Sequence, residues 1–346
     1  MILAWILAAI LLVALILYAV LAGADFGAGF WDLFASGPRA ARQRDLVALA
    51  IGPVWEANHV WLVLVVVLLF TAFPPAFSTL TIALHVPLAL MLLGIVARAS
   101  SYVFRNYDVA GDRVQRRWGN LFAYASVVTP VLLGVVVGAI SSGAIRVAPE
   151  EGFRVLTGFF APWVRVFPFA VGFFTLSLFA FVAASYLIRE TRDPELQEDF
   201  RVRALVAQGG VLVFAVISAF TARVGAHEQF AIALLGSWWS WLFFAAACFV
   251  ATASTALLLY RMYELARILA AAEAAIVVAG WGFAHQPFLI APDVTIANAA
   301  APVATLRLLV IVLAAGVVIL FPSLYWLYRV FKREPIFEEM GRERAE

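Results

Sequence analysis

The sequence has a single cysteine, Cys248, set in an apolar run. A disulfide framework and a thiolate cluster for a metal are therefore excluded. Covalent haem attachment is excluded too, since no Cys-x-x-Cys-His occurs. There is no Walker loop, dinucleotide fingerprint or zinc motif. Charge is scarce: 13% of residues are charged, against about a quarter in soluble domains. The net charge is +2, with no basic tail and no aromatic–basic interleaving, so there is no nucleic-acid footprint. The first run starts at Ile2 without a basic leader or a cleavage-site pattern, and reads as a retained span and not a signal peptide.

What fills the chain instead is apolar sequence, 64% of the residues, in runs of about 20. This predicts an all-α integral membrane protein, one polytopic domain over residues 1–346. Nine spans are expected, near 2–23, 47–72, 77–97, 119–142, 166–188, 204–222, 237–260, 264–286 and 305–328. The apolar stretch Leu46 to Phe73 would make a helix about 42 Å long, longer than the roughly 30 Å hydrocarbon core. Gly52-Pro53 is expected to kink it or to mark where it leaves the interface. No sequence repeat is evident.

Arginine and lysine orient the spans. Loops 1–2, 3–4, 5–6 and 7–8 carry 3, 5, 4 and 2 of them, Arg98 among those of loop 3–4, and the tail from Arg329 carries 5. Only Arg146, Arg154, Arg165, Arg223 and Arg307 fall on the other side. The positive-inside rule then puts the N-terminus outside and the C-terminus inside. Two outer connections are long. Ser141–Phe167, with "FFAPWVRVF", is expected to lie on the membrane surface. His285–Pro302 has three prolines and no Lys or Arg.

Two carboxylates interrupt the apolar pattern, in "GADFGAGF" (Gly23 to Phe30) and "GPVWEANHVWL" (Gly52 to Leu62). On a helix Glu56 and His59 are three apart and share a face. An ionised carboxylate deep in a bilayer costs about 2.5–3.5 kcal/mol even on the lenient insertion scale. A protonated one costs much less, so Glu56 beside an imidazole suits the passing of protons. The plainer alternative is a cap or a helix–helix hydrogen bond near the interface. Asp25 lies at the inner end of span 1, where Gly23 and Gly27 form a smooth face for a close helix. It is expected to face span 2 and Glu56, or to be a helix-end aspartate among glycines. Asp32 reads as a solvated or capping loop residue. Trp55 and Trp61 lie within span 2 and read as packing residues. Trp238, Trp239 and Trp241 suit an interfacial belt at the outer end of span 7. Of the four histidines, His227 and His285 fall near the outer surface. His59 and His85 lie near opposite ends of a hairpin of spans 2 and 3 or close to its middle, and each histidine reads as a core or interface residue.

"GADFGAGF" after the first span, then "GPVWEANHVWL" opening the second, resembles subunit II of the cytochrome bd-type quinol oxidases. "PFLIAPDVTIANAA" before the last span is similar to that family's outer loop, and the likeness runs over essentially the whole chain. The resemblance implies two four-helix bundles plus one extra helix in a bacterial cell (inner) membrane. It implies a respiratory terminal oxidase that oxidises quinol and reduces dioxygen to water, taking protons from the inside. It also implies a heterodimer with a haem-bearing subunit I that holds the haems, b- and d-type or b-type, and the quinol-oxidising loop. No haem is ligated by this chain on that reading, whose part is assembly, shielding of the haems and proton supply. A structural quinone and a small accessory subunit belong to some members. Asp25 falls on the aspartate of the family's Gly-x-Asp-x-Gly stretch, and Glu56 on an acidic position where many members have Asp. Trp55, Asn58 and Trp61 fall on recurring motif positions, and His59 stands where some members have Gln. The short loops look like those of the cyanide-insensitive branch.

The resemblance thus implies a proton pathway through Asp25, Glu56, Asn58 and His59, with Gly23, Gly27, Trp55 and Trp61 in packing or the subunit interface. A proton-coupled secondary transporter is the alternative, since intramembrane carboxylates and Gly/Pro breaks also suit one. Two related halves with matching broken helices would favour it.

Overall fold

Lipid offers the backbone no hydrogen-bond partner, so an apolar run must close its own bonds as a helix. The computed structural model describes residues 1–51, 55–107 and 112–331. The side chains at 55, 105–107, 112, 113, 115, 116, 328 and 331 lie outside the described residues. So do the expected Gly52-Pro53 break and the tail beyond 331. The helices are α1 (Ile2–Leu33), α2 (Ala40–Ile51), α3 (Trp55–Ala72), α4 (Pro74–Ala83), α5 (His85–Tyr107) and α6 (Asp112–Ser141). They continue with α7 (Val166–Leu187), α8 (Pro194–Gly225), α9 (Glu228–Gly236), α10 (Trp238–Leu259), α11 (Tyr263–His285) and α12 (Val303–Phe331). Among the described residues, eight are long and apolar enough to cross a membrane; counting α2 and α3, inclined at 55°, as one bent span gives nine.

Local signals set several ends. Asp193 caps α8, its Oδ1 accepting from the backbone N–H groups of Glu195 and Leu196, with Pro194 at the first helical position. Pro74 likewise opens α4. Other helices run well past their apolar stretch. α1 continues ten residues beyond the expected span end at 23, which carries Asp25 and Asp32 inside the helix. Asp32 is buried in the last turn of α1 and is not the solvated loop residue expected. The chain does not turn until it has passed Leu33.

α1, α3, α5 and α6 form one bundle, and α7, α8, α10 and α11 a second. α12 packs lightly on α1 and α3, with most of its apolar side chains exposed. Lipid tails are as apolar as leucine, so close fit and polar bonds must join the helices. The bundles meet on two glycine seams. A Cβ built at Gly27 would overlap the Phe179 carbonyl oxygen, and one at Gly23 would lie 2.7 Å from the Phe179 ring. A Cβ at Gly134 would lie 2.7 Å from the Cα of Gly172. The Gly23/Gly27 face is thus taken by α7 of this same chain, as internal packing.

The long connections are folded. Strands β1 (Val147–Ala148) and β2 (Arg154–Val155) pair, as do β3 (Phe288–Ile290) and β4 (Val294–Thr295). Asp293 joins the two segments: it accepts from Arg146 Nε at 2.8 Å and Nη2 at 3.2 Å, and from the Val147 backbone N–H at 3.0 Å. These bonds and the adjacent charge hold the Arg146 guanidinium above its ordinary pKa. Trp163 and Ile290 are buried under this cap, while Phe159, Phe160 and Val166 point outward. Replacing Asp293 by Ala breaks an ion pair to the exposed Arg146 and one half-buried backbone bond, and should cost about 1 kcal/mol. A melting temperature lowered by a few degrees, with unchanged helical content, is the expected result; an unchanged melting temperature would refute the clasp. At the opposite end Arg39 donates to both Asp199 oxygens, at 2.9 and 2.6 Å, and Arg42 pairs with Asp193. The hydrogen bond to Asp199 raises the Arg39 pKa above its ordinary value.

Candidate functional site

Asp25 is only 4% exposed. Its Oδ2 accepts from Asn58 Nδ2 at 2.7 Å, which ties α1 to α3. Asn58 Nδ2 also reaches the Leu21 carbonyl, at 3.4 Å. A carboxylate in an apolar bundle needs such donors and a nearby positive charge, because an isolated buried ion is very costly.

The positive charge is Arg98, 2% exposed. The sequence places it in loop 3–4, but α5 continues to Tyr107 and carries it into the bundle. Its Nη2 donates to the Asp25 backbone carbonyl at 2.9 Å and its Nε to Ser126 Oγ of α6 at 3.1 Å. The guanidinium lies against the rings of Phe26 and Phe122, at 4.9 and 5.0 Å. It interacts electrostatically with Asp25 and with the buried phenol of Tyr18. Four helices thus meet on one polar cluster, and Arg98, Tyr18 and Ser126 were missed in the sequence.

Glu56 stands apart from this cluster. It is exposed on α3 and makes no hydrogen bond or ion pair among the described residues. Asn58 is two residues on, about 200° around the helix, so when Asn58 faces Asp25 Glu56 must face away. The expected Asp25–Glu56 juxtaposition is corrected accordingly. His59 is half-buried, its ring 6.0 Å from Tyr18 and 5.8 Å from Phe26. Trp61 is buried, 6.4 Å from Phe321 of α12. Trp55 opens α3, and its side chain lies outside the described residues.

The other histidines are elsewhere. His85 opens α5 at the far end of the hairpin from His59, its ring 4.7 Å from Phe159. His285 ends α11, with Nδ1 3.4 Å from Ser141 Oγ and Nε2 3.2 Å from the Leu289 carbonyl. His227 lies near it in the cap, 5.6 Å from Phe288. A further buried acid, Glu273 of α11, pairs with Gln208 of α8. It too escaped the sequence reading, although a lone acid inside an apolar span is signal enough to flag it.

Fold and site define a polytopic helical membrane protein whose first bundle is built round a carboxylate–guanidinium cluster. The family profile described as cytochrome bd terminal oxidase subunit II matches residues 3–331, and the chain belongs to that family. It is 27% identical over 332 residues to a Bacillus subtilis chain provisionally named cytochrome bd menaquinol oxidase subunit II, covering 92% of each. It is 26% identical over 187 residues to the Escherichia coli cytochrome bd-I ubiquinol oxidase subunit 2, covering 54% of this chain and 48% of that one. A chain of the bd oxidase from Geobacillus thermodenitrificans has the same fold, with a TM-score of 0.79 at 22% identity, covering 96% of this chain and 99% of that one. The apolar helices and the family place the chain in a bacterial membrane, as a subunit of an oxidoreductase complex that also has a subunit I.

Proposed function

We propose that this chain is the non-haem subunit of a quinol:dioxygen oxidoreductase, paired with a haem-bearing subunit I, and that it supplies protons to that partner. The observation that carries the proton role is the Asp25–Asn58 contact, a buried carboxylate reached through a polar side chain at the start of α3. Reducing dioxygen to water consumes protons, and a bilayer holds none. Asp25, bonded to Asn58, with the His59 ring packed against Tyr18 and Phe26 of the same helix, is a place to hold one. Glu56, on the open face of α3, is the group that exchanges protons with water or with a surface of subunit I. By the arginine count, this end of the bundle faces the cytoplasm, with the N-terminus outside.

Histidine placement supports putting the redox centres in the partner. A two-histidine haem needs ligands facing each other from different helices at one depth. His59, in the second turn of α3, and His85, at the start of α5, lie at opposite ends of the hairpin, and both nitrogens of His285 lie within hydrogen-bonding distance of Ser141 and Leu289. His59, His85 and His285 do not pair as haem ligands. The transporter reading loses its main expectation, because α8, the counterpart of the bent α2–α3 pair, runs unbroken from Pro194 to Gly225.

Purification through a tag on this chain, followed by a visible spectrum, tests the reading. Haem bands that travel with a larger co-purifying subunit are expected. A colourless chain that is active on its own would overturn it.

A further inference from the structure

The second bundle holds a polar pair that the proton route does not use. Glu273 of α11 is 2% exposed and Gln208 of α8 is 9% exposed. Gln208 Nε2 lies 2.9 and 3.2 Å from the two Glu273 carboxyl oxygens. Glu273 makes no ion pair among the described residues, and its neighbours along the seam include the buried, apolar Ala207, Ala270 and Ala274. It is ten residues into α11, about 15 Å along the axis, near the middle of a hydrocarbon core about 30 Å thick. Asp25 has Arg98 beside it; Glu273 has only an amide.

The amide carries the second clue. Gln208 Oε1 is buried and accepts no hydrogen bond. A carboxylate can use only the amide N–H groups and leaves that oxygen orphaned, which costs about 1–3 kcal/mol in a buried site. A neutral acid makes two opposed bonds with an amide: acid O–H to amide oxygen, and amide N–H to acid carbonyl. A turn of the amide about its last bond brings its oxygen to the carboxyl group. The Glu273 carboxyl is the one group in the pair that becomes a donor, and it does so by taking up a proton.

We propose that Glu273 is a proton-binding site of the second bundle, held as the neutral acid by Gln208 and exchanging its proton with water. Uptake forms one O–H bond at a carboxyl oxygen and breaks one O–H bond of hydronium, releasing water. The site stands on its own helices and does not depend on the Asp25 cluster.

Infrared spectra of the purified complex test this, taken as wild type minus Glu273→Gln in light and in heavy water. The glutamine keeps the shape and neutrality of the acid, so assembly should be near normal. The expected difference is a protonated-carboxyl C=O band, lost in the variant and shifted downward in heavy water. Loss of carboxylate bands alone, or a C=O band that does not move in heavy water, overturns the proposal. Should Glu273→Gln fail to assemble, Gln208→Leu gives the answer. Removal of the acceptor should shift the acid C=O band upward while the band persists, and an unshifted spectrum overturns the pairing.

Discussion

Replacing Arg98 by Leu is expected to abolish recovery of the assembled complex. The substitution removes donors to Ser126 Oγ and to the Asp25 carbonyl, and strips a positive charge from beside a carboxylate that is 4% exposed. Each buried acceptor left without its charged donor costs about 1–3 kcal/mol. For both acceptors together that is a large part of the 5–15 kcal/mol that holds a typical domain together. Arg98→Lys keeps the charge but loses the fork that reaches two helices, so it should recover part of the yield. The double variant Arg98→Leu with Asp25→Leu removes both charges and should recover more protein than Arg98→Leu alone. The measurement is the amount of tagged chain bound to its larger partner in membranes. Wild-type yield in Arg98→Leu would show that the cluster does not hold the first bundle together.

Glu56→Gln should lower quinol-driven oxygen consumption by about a hundredfold, the lower end of what a positioned proton-transfer group contributes. Haem content and assembly should stay close to normal, since glutamine keeps the shape and Glu56 makes no bond within this chain's described residues. Glu56→Asp should be milder, because it keeps a titrating group on the same face of α3. Loss of the whole complex in Glu56→Gln would assign the residue a structural role against the partner.

The helical class and the span pattern were legible because runs of about 20 apolar residues leave few other choices. How the spans pair was not. The seams between bundles are glycines, Gly23 and Gly27 against Phe179, and Gly134 against Gly172, and a glycine does not say which helix it meets. Asp25 and Asn58 were each readable as polar residues in apolar surroundings, yet their 2.7 Å contact required the rotation of α3 about its axis. That same rotation turns Glu56 outward. Arg98 is hidden because the apolar run of span 3 ends at 97, and an arginine that follows an apolar run reads as a loop charge. α5 carries it into the bundle because Asp25 and the Phe26 and Phe122 rings are there to receive it.

Proton uptake tests the central claim most directly. Fully reduced, assembled complex is mixed with dioxygen, and a pH dye follows protons taken from the medium, in wild type and in Asp25→Asn and Glu56→Gln at matched haem content. The account predicts uptake in both variants that is slowed together with oxygen reduction, by a similar factor. Uptake at the wild-type rate in both variants would contradict it.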